Sequence, residues 1–358
     1  MPRLQESPDD QVLVGPILRA AGLLAILATG PGCYYLNQAA GQFDIVFNSR
    51  PLEEVYADPG LTETRARKLD LVQASRRFAE ERLGLKPSRN YTTYFDTGRR
   101  AVTYVVSAVR PDAFVPYVWW FPIVGSLPYK GYFDRKDAEA EAAALQAEGW
   151  DVCIGESAAY STLGWFRDPV FSSMLSMSDA SLASTVIHEL VHGTIFATGQ
   201  TDFNESLATF VGREGALQLL EERHGRGSPE VLDARARFED EALYDAFILD
   251  LYDRLAGLYG SERPREEKLA EREKIFAGAR EEYGRLVPRF QTGNFRRLAE
   301  PELNNATIVA QVRYGRYNQF RRVFGRVRNS WPAFFAAVSA AAASGNPLAA
   351  VEALAREP

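Results

Sequence analysis

The chain has 358 residues, of which 46% are hydrophobic and 25% charged, with a formal net charge of -6 and a pI of about 5.4. This length and apolar content predict a globular protein with a buried core, in one large domain or two modest ones. The acidic balance and the absence of a long Lys/Arg cluster exclude nucleic acid as an expected partner. Two cysteines are too few for a disulfide framework or a cysteine-based metal site.

The first predicted element is a leader over residues 1–33. A short apolar run, residues 20–28, precedes the sequence Gly-Pro-Gly-Cys that ends at Cys33. The run is too short to span a bilayer comfortably, but it suits the core of a signal peptide. Cys33 after small residues resembles a bacterial lipobox, in which the cysteine carries the lipid, although Gly30 stands where that pattern has a leucine-like residue. A buried or amphipathic N-terminal helix is the alternative.

A mixed α/β pattern follows over residues 34–177. Apolar side chains near helical spacing predict a helix over residues 60–83, which ends at Gly84. Residues 91–124 are rich in β-branched and aromatic residues and predict one small antiparallel sheet. Within it, the strand VTYVVSAV could bind an extended peptide as an edge strand. A further helix and a short strand, DVCIG, come next.

The remaining residues, 178–358, are predicted to be helical. The expected helices span about residues 178–198, 204–224, 229–258 and 264–286, with a last helix at WPAFFAAVSAAAAS. Opposite charges alternate along the third and fourth of these, which predicts a solvated antiparallel hairpin rather than a binding surface. Since no internal repeat or low-complexity linker divides the chain, residues 34–358 are expected to form a single domain. The predicted fold class is α+β, mainly α.

The sequence ASTVIHELVHGTIF, residues 183–196, contains the residue pattern of a metal site. His188 and His192 lie four residues apart on one helical face, so both imidazoles can reach one metal ion. Glu189 follows the first histidine, where it can hold a water molecule at the metal and take its proton. The chain has three histidines, so a chance pairing is the weaker interpretation. The motif predicts a zinc site with Glu189 as the general base.

Zinc needs a third protein ligand and an open position for water. Glu205 stands thirteen residues after His192, at the start of the next predicted helix, and a turn between the helices can bring it back beside the histidines. Glu205 is therefore the predicted third ligand, with Asp202 in the turn as the alternative. Asn204 could cap that helix or contact the substrate.

Two resemblances extend this interpretation. The sequence HELVH followed by NESLATFVG resembles the gluzincin arrangement, in which a glutamate on the next helix is the third zinc ligand. Four stretches, FPIVGSLPYKGYFD, AYSTLGWFRDPVFSSML, the metal motif and LNNATIVAQVRY, resemble a family of predicted bacterial zinc aminopeptidases, many of which are described as lipoproteins. The resemblance implies one Zn²⁺ ion, a peptide substrate and attachment to the membrane through Cys33.

Further site residues are expected around the metal. Related enzymes stabilise the oxyanion with a downstream tyrosine or histidine. His224 lies at a helix end, where the helix dipole explains it, so Tyr314 is the predicted catalytic tyrosine. Tyr160 is a second candidate for substrate contact, and Glu156 is a candidate anchor for the substrate's α-amine.

Together these patterns predict a zinc-dependent peptide hydrolase, an aminopeptidase that removes N-terminal residues in the bacterial cell envelope, facing the periplasm. One alternative is a zinc endopeptidase on the same scaffold, and another is an envelope lipoprotein with a structural metal site. Glu189 argues against the structural site, because such a site needs no general base. A cytoplasmic location is the alternative to lipid attachment. The sequence predicts no particular oligomeric state.

Overall fold

The chain divides into two units, residues 1–49 and residues 50–358. About 64% of the protein is helical, and its strands form small sheets, so the predicted α+β, mainly α class is confirmed. The computed structural model describes residues 31–121, 125–157, 167–296 and 302–356.

The first unit contains one described helix, α1 (Pro31–Asn48). Cys33, the predicted lipid attachment point, falls at the start of this helix. The apolar run at residues 20–28 lies outside the described residues. Within the described ranges, no helix is long and apolar enough to cross a membrane.

The helices of the second unit follow the predicted pattern with shifted ends. The predicted helix over residues 60–83 begins at Glu63, because the Thr62 side chain caps it by accepting a hydrogen bond from the backbone N–H of Arg65 at 3.3 Å. A π-helical turn extends it to Gly84, whose φ of 80° terminates the helix. The helices are α2 (Leu52–Tyr56), α3 (Glu63–Phe78), α4 (Arg135–Ala147), α5 (Asp179–His192), α6 (Thr201–His224), α7 (Pro229–Tyr259), α8 (Arg265–Leu286), α9 (Gly293–Arg296), α10 (Asn305–Val312), α11 (Tyr317–Arg326), α12 (Trp331–Ala342) and α13 (Pro347–Arg356).

In the part of the chain that the structure describes, the strands form three small sheets with the orders β1-β2-β8, β6-β3-β7 and β4-β5. The prediction of one sheet over residues 91–124 was wrong, because strands from this stretch go to all three sheets. One pair, β2 with β8, is parallel. The strands are β1 (Arg50–Pro51), β2 (Thr93–Phe95), β3 (Thr103–Val109), β4 (Trp119–Phe121), β5 (Gly125–Leu127), β6 (Lys130–Tyr132), β7 (Asp151–Ser157) and β8 (Val170–Phe171).

Strand β3 is the centre of its sheet, so the prediction that it offers a free edge to a peptide was wrong. It pairs antiparallel with β6 on one side and with β7 on the other. Both sides of its backbone are therefore occupied by the ladder. Its apolar run explains this position, since Val106 and Ala108 are fully buried.

Helices α5 and α6 pack directly against each other in the core. The apolar face of α5 is fully buried at Val186, Ile187 and Val191. Gly212 on α6 allows the close approach, because a Cβ at this position would lie 2.7 Å from the carbonyl oxygen of Ser184. The two helices that contain the predicted ligands are thus held in contact through much of their length.

Helices α7 and α8 form the predicted antiparallel pair, and their shared face is buried. Phe247 and Leu251 of α7 pack with Phe276 and Tyr283 of α8 in one hydrophobic cluster. The charged residues are not all solvated as the alternating pattern predicts, because Asp240, Asp245 and Arg272 are buried and Arg254 of α7 pairs with Glu282 of α8 at 2.7 Å. Helix α10 also packs on α7, which brings the chain that follows α10 towards α5 and α6.

Candidate metal centre

The two histidines lie in the last turns of α5. The helix begins where the Ser178 side chain accepts a hydrogen bond from the backbone N–H of Ser181 at 3.1 Å. It ends at His192, with Gly193 as its C-cap, which is earlier than the predicted end near residue 198. The histidine rings are 4.9 Å apart between centroids, on the face that meets α6.

Glu205 completes a group of three side chains whose potential ligand atoms converge. His188 Nε2 lies 3.2 Å from Glu205 Oε2 and 3.2 Å from His192 Nε2, and His192 Nε2 lies 3.7 Å from Glu205 Oε1. Ligand atoms at tetrahedral angles around zinc, each about 2.0–2.1 Å from the ion, are separated by about 3.3–3.4 Å. The two 3.2 Å spacings lie close to that value, although the 3.7 Å spacing is to the other oxygen of Glu205. One ligand atom from each of the three side chains lies within 4.8 Å of the others, so the three residues are grouped closely enough to bind one metal ion.

The hydrogen-bonding capacity of these three side chains also favours a bound cation. His188 Nε2 faces both Glu205 and His192 Nε2, yet it carries at most one proton. It therefore cannot donate a hydrogen bond to both neighbours. A cation between the three side chains would accept one lone pair from each ligand atom, and imidazole and carboxylate are donor types that zinc accepts.

Charge and burial keep two of the ligands in the form that binds a metal. Burial favours the neutral form of Glu205, but the hydrogen bond from His188 and the positive charge of that residue outweigh it and lower the pKa of Glu205. This carboxylate is therefore ionised. Burial and the neighbouring His188 lower the pKa of His192 to about 4, so this imidazole is neutral at neutral pH. Burial opposes the protonation of His188, but the hydrogen bond to Glu205 and the charge of Glu189 raise its pKa.

The connection between α5 and α6 places Glu205 through its neighbour, Asn204. The Asn204 side chain accepts a hydrogen bond from the N–H of Ala197 and donates one to the carbonyl of Ala197, both at 2.8 Å. It is 2% exposed and lies inside the first turns of α6, which starts at Thr201 rather than at residue 204. Asn204 therefore does not cap the helix. Its amide holds the loop rather than facing a substrate.

Glu189 and Tyr314 line one cavity with His188. The cavity has a volume of about 250 Å³, and it lies beside α5, α6 and α7. Tyr314 lies two residues after the end of α10, and the centroid of its ring is 6.5 Å from the centroid of the His188 ring. Tyr314 is 37% exposed, and burial of its hydroxyl together with the charge of Glu205 raises its pKa to about 12. The phenol is thus a neutral hydrogen-bond donor at the wall of the cavity.

The other predicted candidates lie elsewhere or outside the described residues. Asp202 is in the first turn of α6 and does not join the group of converging ligand atoms. Glu156 lies on β7, where it pairs with Arg135 at 2.9 Å, and it does not line the cavity with His188. His224 is the last residue of α6. Tyr160 lies outside the described residues.

Two features of the site have no strong sequence signal. Tyr91 is buried beside the motif with a left-handed φ of 62°, and burial and the charge of Glu189 raise its pKa. Arg213 on α6 pairs with Glu241 at 2.8 Å and with Asp245 at 3.1 Å, both on α7. Arg213 and Glu241 also line the cavity. Such pairs join separate helices, so the spacing of charges along one helix does not indicate them.

Comparison with known proteins gives one family. A family model described as "Putative aminopeptidase" matches residues 33–348. No curated protein and no solved structure matches the chain. The match covers α1 to the start of α13, including the converging histidines and glutamate.

Proposed function

The chain belongs to the family of putative aminopeptidases, and we propose that it is a zinc-dependent aminopeptidase that hydrolyses the N-terminal peptide bond of its substrate. The observation that supports zinc dependence is the convergence of His188, His192 and Glu205, of which one ligand atom each lies within 4.8 Å of the others, since imidazole and carboxylate are donor types that zinc accepts. Glu189 lines the same cavity as one of these ligands, which supports a catalytic rather than a structural site.

In this proposal, His188, His192 and Glu205 hold one Zn²⁺ ion. When bound, zinc would polarise the carbonyl of the scissile bond and acidify a water molecule. Glu189 accepts the proton of the attacking water on a carboxylate oxygen and then donates it to the nitrogen of the leaving amine. The adjacency of Glu189 to His188 in the sequence and in the cavity supports this role.

Tyr314 is the proposed oxyanion stabiliser. Its raised pKa keeps the hydroxyl protonated at neutral pH, so the hydroxyl can donate a hydrogen bond. The carbonyl oxygen of the substrate gains negative charge during attack, and a donor placed for that oxygen stabilises the transition state more than the ground state. The position of the ring beside His188 supports this assignment.

The test compares wild type with Glu189→Gln on free aminoacyl anilides and on internally quenched peptides with blocked termini. We expect zinc to remain bound in both proteins and the variant to lose at least about 100-fold in kcat, since it lacks the general base. Equal activity in the two proteins would contradict the mechanism. Cleavage of blocked internal peptides alone would instead identify a zinc endopeptidase.

We also propose that Cys33 carries a lipid and that the enzyme faces the periplasm from the membrane. The apolar run before a small-residue sequence ending in cysteine supports this location. Radiolabelled palmitate should enter the wild type and Cys153→Ala, and it should not enter Cys33→Ala. Equal labelling of both variants would contradict lipid attachment at Cys33 and leave a cytoplasmic location as the alternative.

A further inference from the structure

The cavity beside the metal ligands has polar walls and a limited size. Helix α5 contributes the hydroxyl side chains of Ser181, Ser184 and Thr185, while α7 contributes Phe238 and Glu241. Its volume of about 250 Å³ is smaller than the roughly 300 Å³ at which cavities for drug-sized ligands begin. The part of the cavity that the described residues line has a size suited to one amino-acid residue of a peptide substrate.

A cluster of three charged side chains forms part of this wall. Arg213 Nε lies 2.8 Å from Glu241 Oε2, and Arg213 Nη1 lies 3.1 Å from Asp245 Oδ2. Asp245 also accepts a hydrogen bond from Gln311 Nε2 at 3.1 Å. One guanidinium thus pairs with two carboxylates, so the three side chains have a net charge of -1 when both carboxylates are ionised.

Glu241 is the accessible member of the cluster. Its side chain is 27% exposed, compared with 9% for Arg213 and 3% for Asp245. Burial raises the pKa of Glu241, and the charge of Arg213 offsets this only in part. Arg237 is a second cation near Glu241, and it pairs with Asp233 at 2.7 Å. A cation that enters the cavity therefore meets the Glu241 carboxylate.

We propose that Glu241 binds the α-ammonium group of the substrate's N-terminal residue. This inference rests on the proposed function, because it names the substrate group that the same site recognises. The α-nitrogen and the carbonyl carbon of one residue are separated by two bonds, so both can lie in a cavity that holds one residue. Glu241 and the pair His188 and Glu189 line that one cavity, which lets the ammonium bind while the carbonyl is attacked.

The negative wall also gives a reason for exopeptidase action. An internal or acylated residue has an uncharged amide at this position, which cannot neutralise the cluster. It would cover the Glu241 carboxylate, which shares the Arg213 guanidinium with Asp245, without adding a second cation, and burying an incompletely compensated charge is unfavourable. Substrates with a free amino terminus are therefore selected. A basic side chain offers the same ammonium chemistry, and the experiment below separates the two sources.

The test measures the binding of three hydroxamates to the full zinc-loaded chain by calorimetry near pH 6.5, below the usual α-amino pKa of about 7.7–8.0. Alanine hydroxamate has the α-amine, propionohydroxamate lacks it, and 6-aminohexanohydroxamate has an amine only at the end of its side chain. We expect wild type to prefer alanine hydroxamate over propionohydroxamate by about 10- to 100-fold, as for a hydrogen bond to a charged group. Glu241→Gln should lose this preference and keep its affinity for propionohydroxamate.

Two further variants control for structure. Glu239→Gln removes a carboxylate two residues away on α7 that lines a different cavity, and it should keep the preference. Glu241→Asp retains the negative charge and should retain part of the preference for alanine hydroxamate. A purely structural role of Glu241 would not depend on its charge. Circular dichroism verifies that each variant is folded.

The possible outcomes separate the inference from the proposed function. A peptidase that is active in wild type, with an unchanged amine preference in Glu241→Gln, would overturn the role of Glu241 alone. A wild type that prefers alanine hydroxamate through Glu241 but cleaves no peptide would overturn the proposed function alone. No preference in wild type, or a preference only for 6-aminohexanohydroxamate, would overturn the assignment to the α-ammonium group.

Discussion

Gly212 determines how closely the two helices with the metal ligands approach. An added Cβ would lie 2.7 Å from the Ser184 carbonyl oxygen and 3.3 Å from the Cβ of His188. The Ser184 oxygen belongs to the backbone of α5, so it can move only if that helix moves. We therefore expect Gly212→Ala to push α5 away from α6 and to separate His188 from Glu205.

The expected magnitude follows from two opposing effects of Gly212→Ala. Alanine in a helix interior is more favourable than glycine by about 0.5–1 kcal/mol. Overpacking of a tightly packed contact costs about 1–3 kcal/mol. The net expectation is a loss of about 0–2.5 kcal/mol in the free energy of unfolding. Zinc affinity should fall by about 10-fold, the lower end of what lost support around metal ligands costs.

Chemical denaturation followed by circular dichroism, with zinc chelated, measures the free energy of unfolding. Competition titration with a zinc indicator measures the zinc affinity. Gly257→Ala on α7 is the matched control, because no heavy atom of the described residues, apart from its chain neighbours and its own helix backbone, lies within 4 Å of the added Cβ. The control should gain about 0.5–1 kcal/mol and bind zinc as wild type does. If Gly212→Ala stabilises the protein as much as the control and zinc affinity is unchanged, the close approach does not support the site.

Three further predictions concern the surroundings of the site. Asn204→Ala leaves the buried N–H of Ala197 without a partner, while the Ala197 carbonyl keeps its hydrogen bond from the N–H of Gln200, so denaturation should reveal a loss of about 1–3 kcal/mol. Asp179 is partly buried, but its hydrogen bonds to Arg67 and Lys68 lower its pKa. Its stabilisation is therefore present above its unfolded pKa near 3.9 and is lost as pH falls through the lower folded pKa. Asp179→Asn should cost about 1–3 kcal/mol at pH 7, and the difference from wild type should disappear in acid denaturation as pH falls through the lowered folded pKa of Asp179. Tyr314→Phe should lower kcat by about 10- to 1,000-fold with little change in KM, and a rise in KM alone would contradict its role at the oxyanion.

The local part of the site was predictable from the sequence. His188, Glu189 and His192 are close in the chain, so helical periodicity alone puts them together on α5. Glu205 required one further step, a chain reversal after α5, and the structure brings its carboxylate to the histidines. The exact ends of the helices were less predictable, since α5 stops at His192 and α6 starts earlier than the pattern indicated.

Contacts between residues far apart in the sequence could not be predicted, because they depend on tertiary packing. The position of β3 depends on its partners β6 and β7, and the pairing of strands distant in sequence is set by tertiary packing. The cluster of Arg213, Glu241 and Asp245 depends on how α6 packs on α7. Glu156 was a candidate for amine binding by residue type alone, and the structure instead pairs it with Arg135.

Zinc affinity tests the central claim most directly. Competition titration should find one Zn²⁺ per wild-type chain. Loss of one of three ligands in Glu205→Gln should weaken binding by at least about 100-fold, since the amide is a poor zinc ligand. Asp202→Asn, which changes a nearby acidic residue outside the converging group, should bind zinc as wild type does. Equal zinc affinity in wild type and Glu205→Gln, or loss of binding in Asp202→Asn instead, would contradict the proposed three-ligand site.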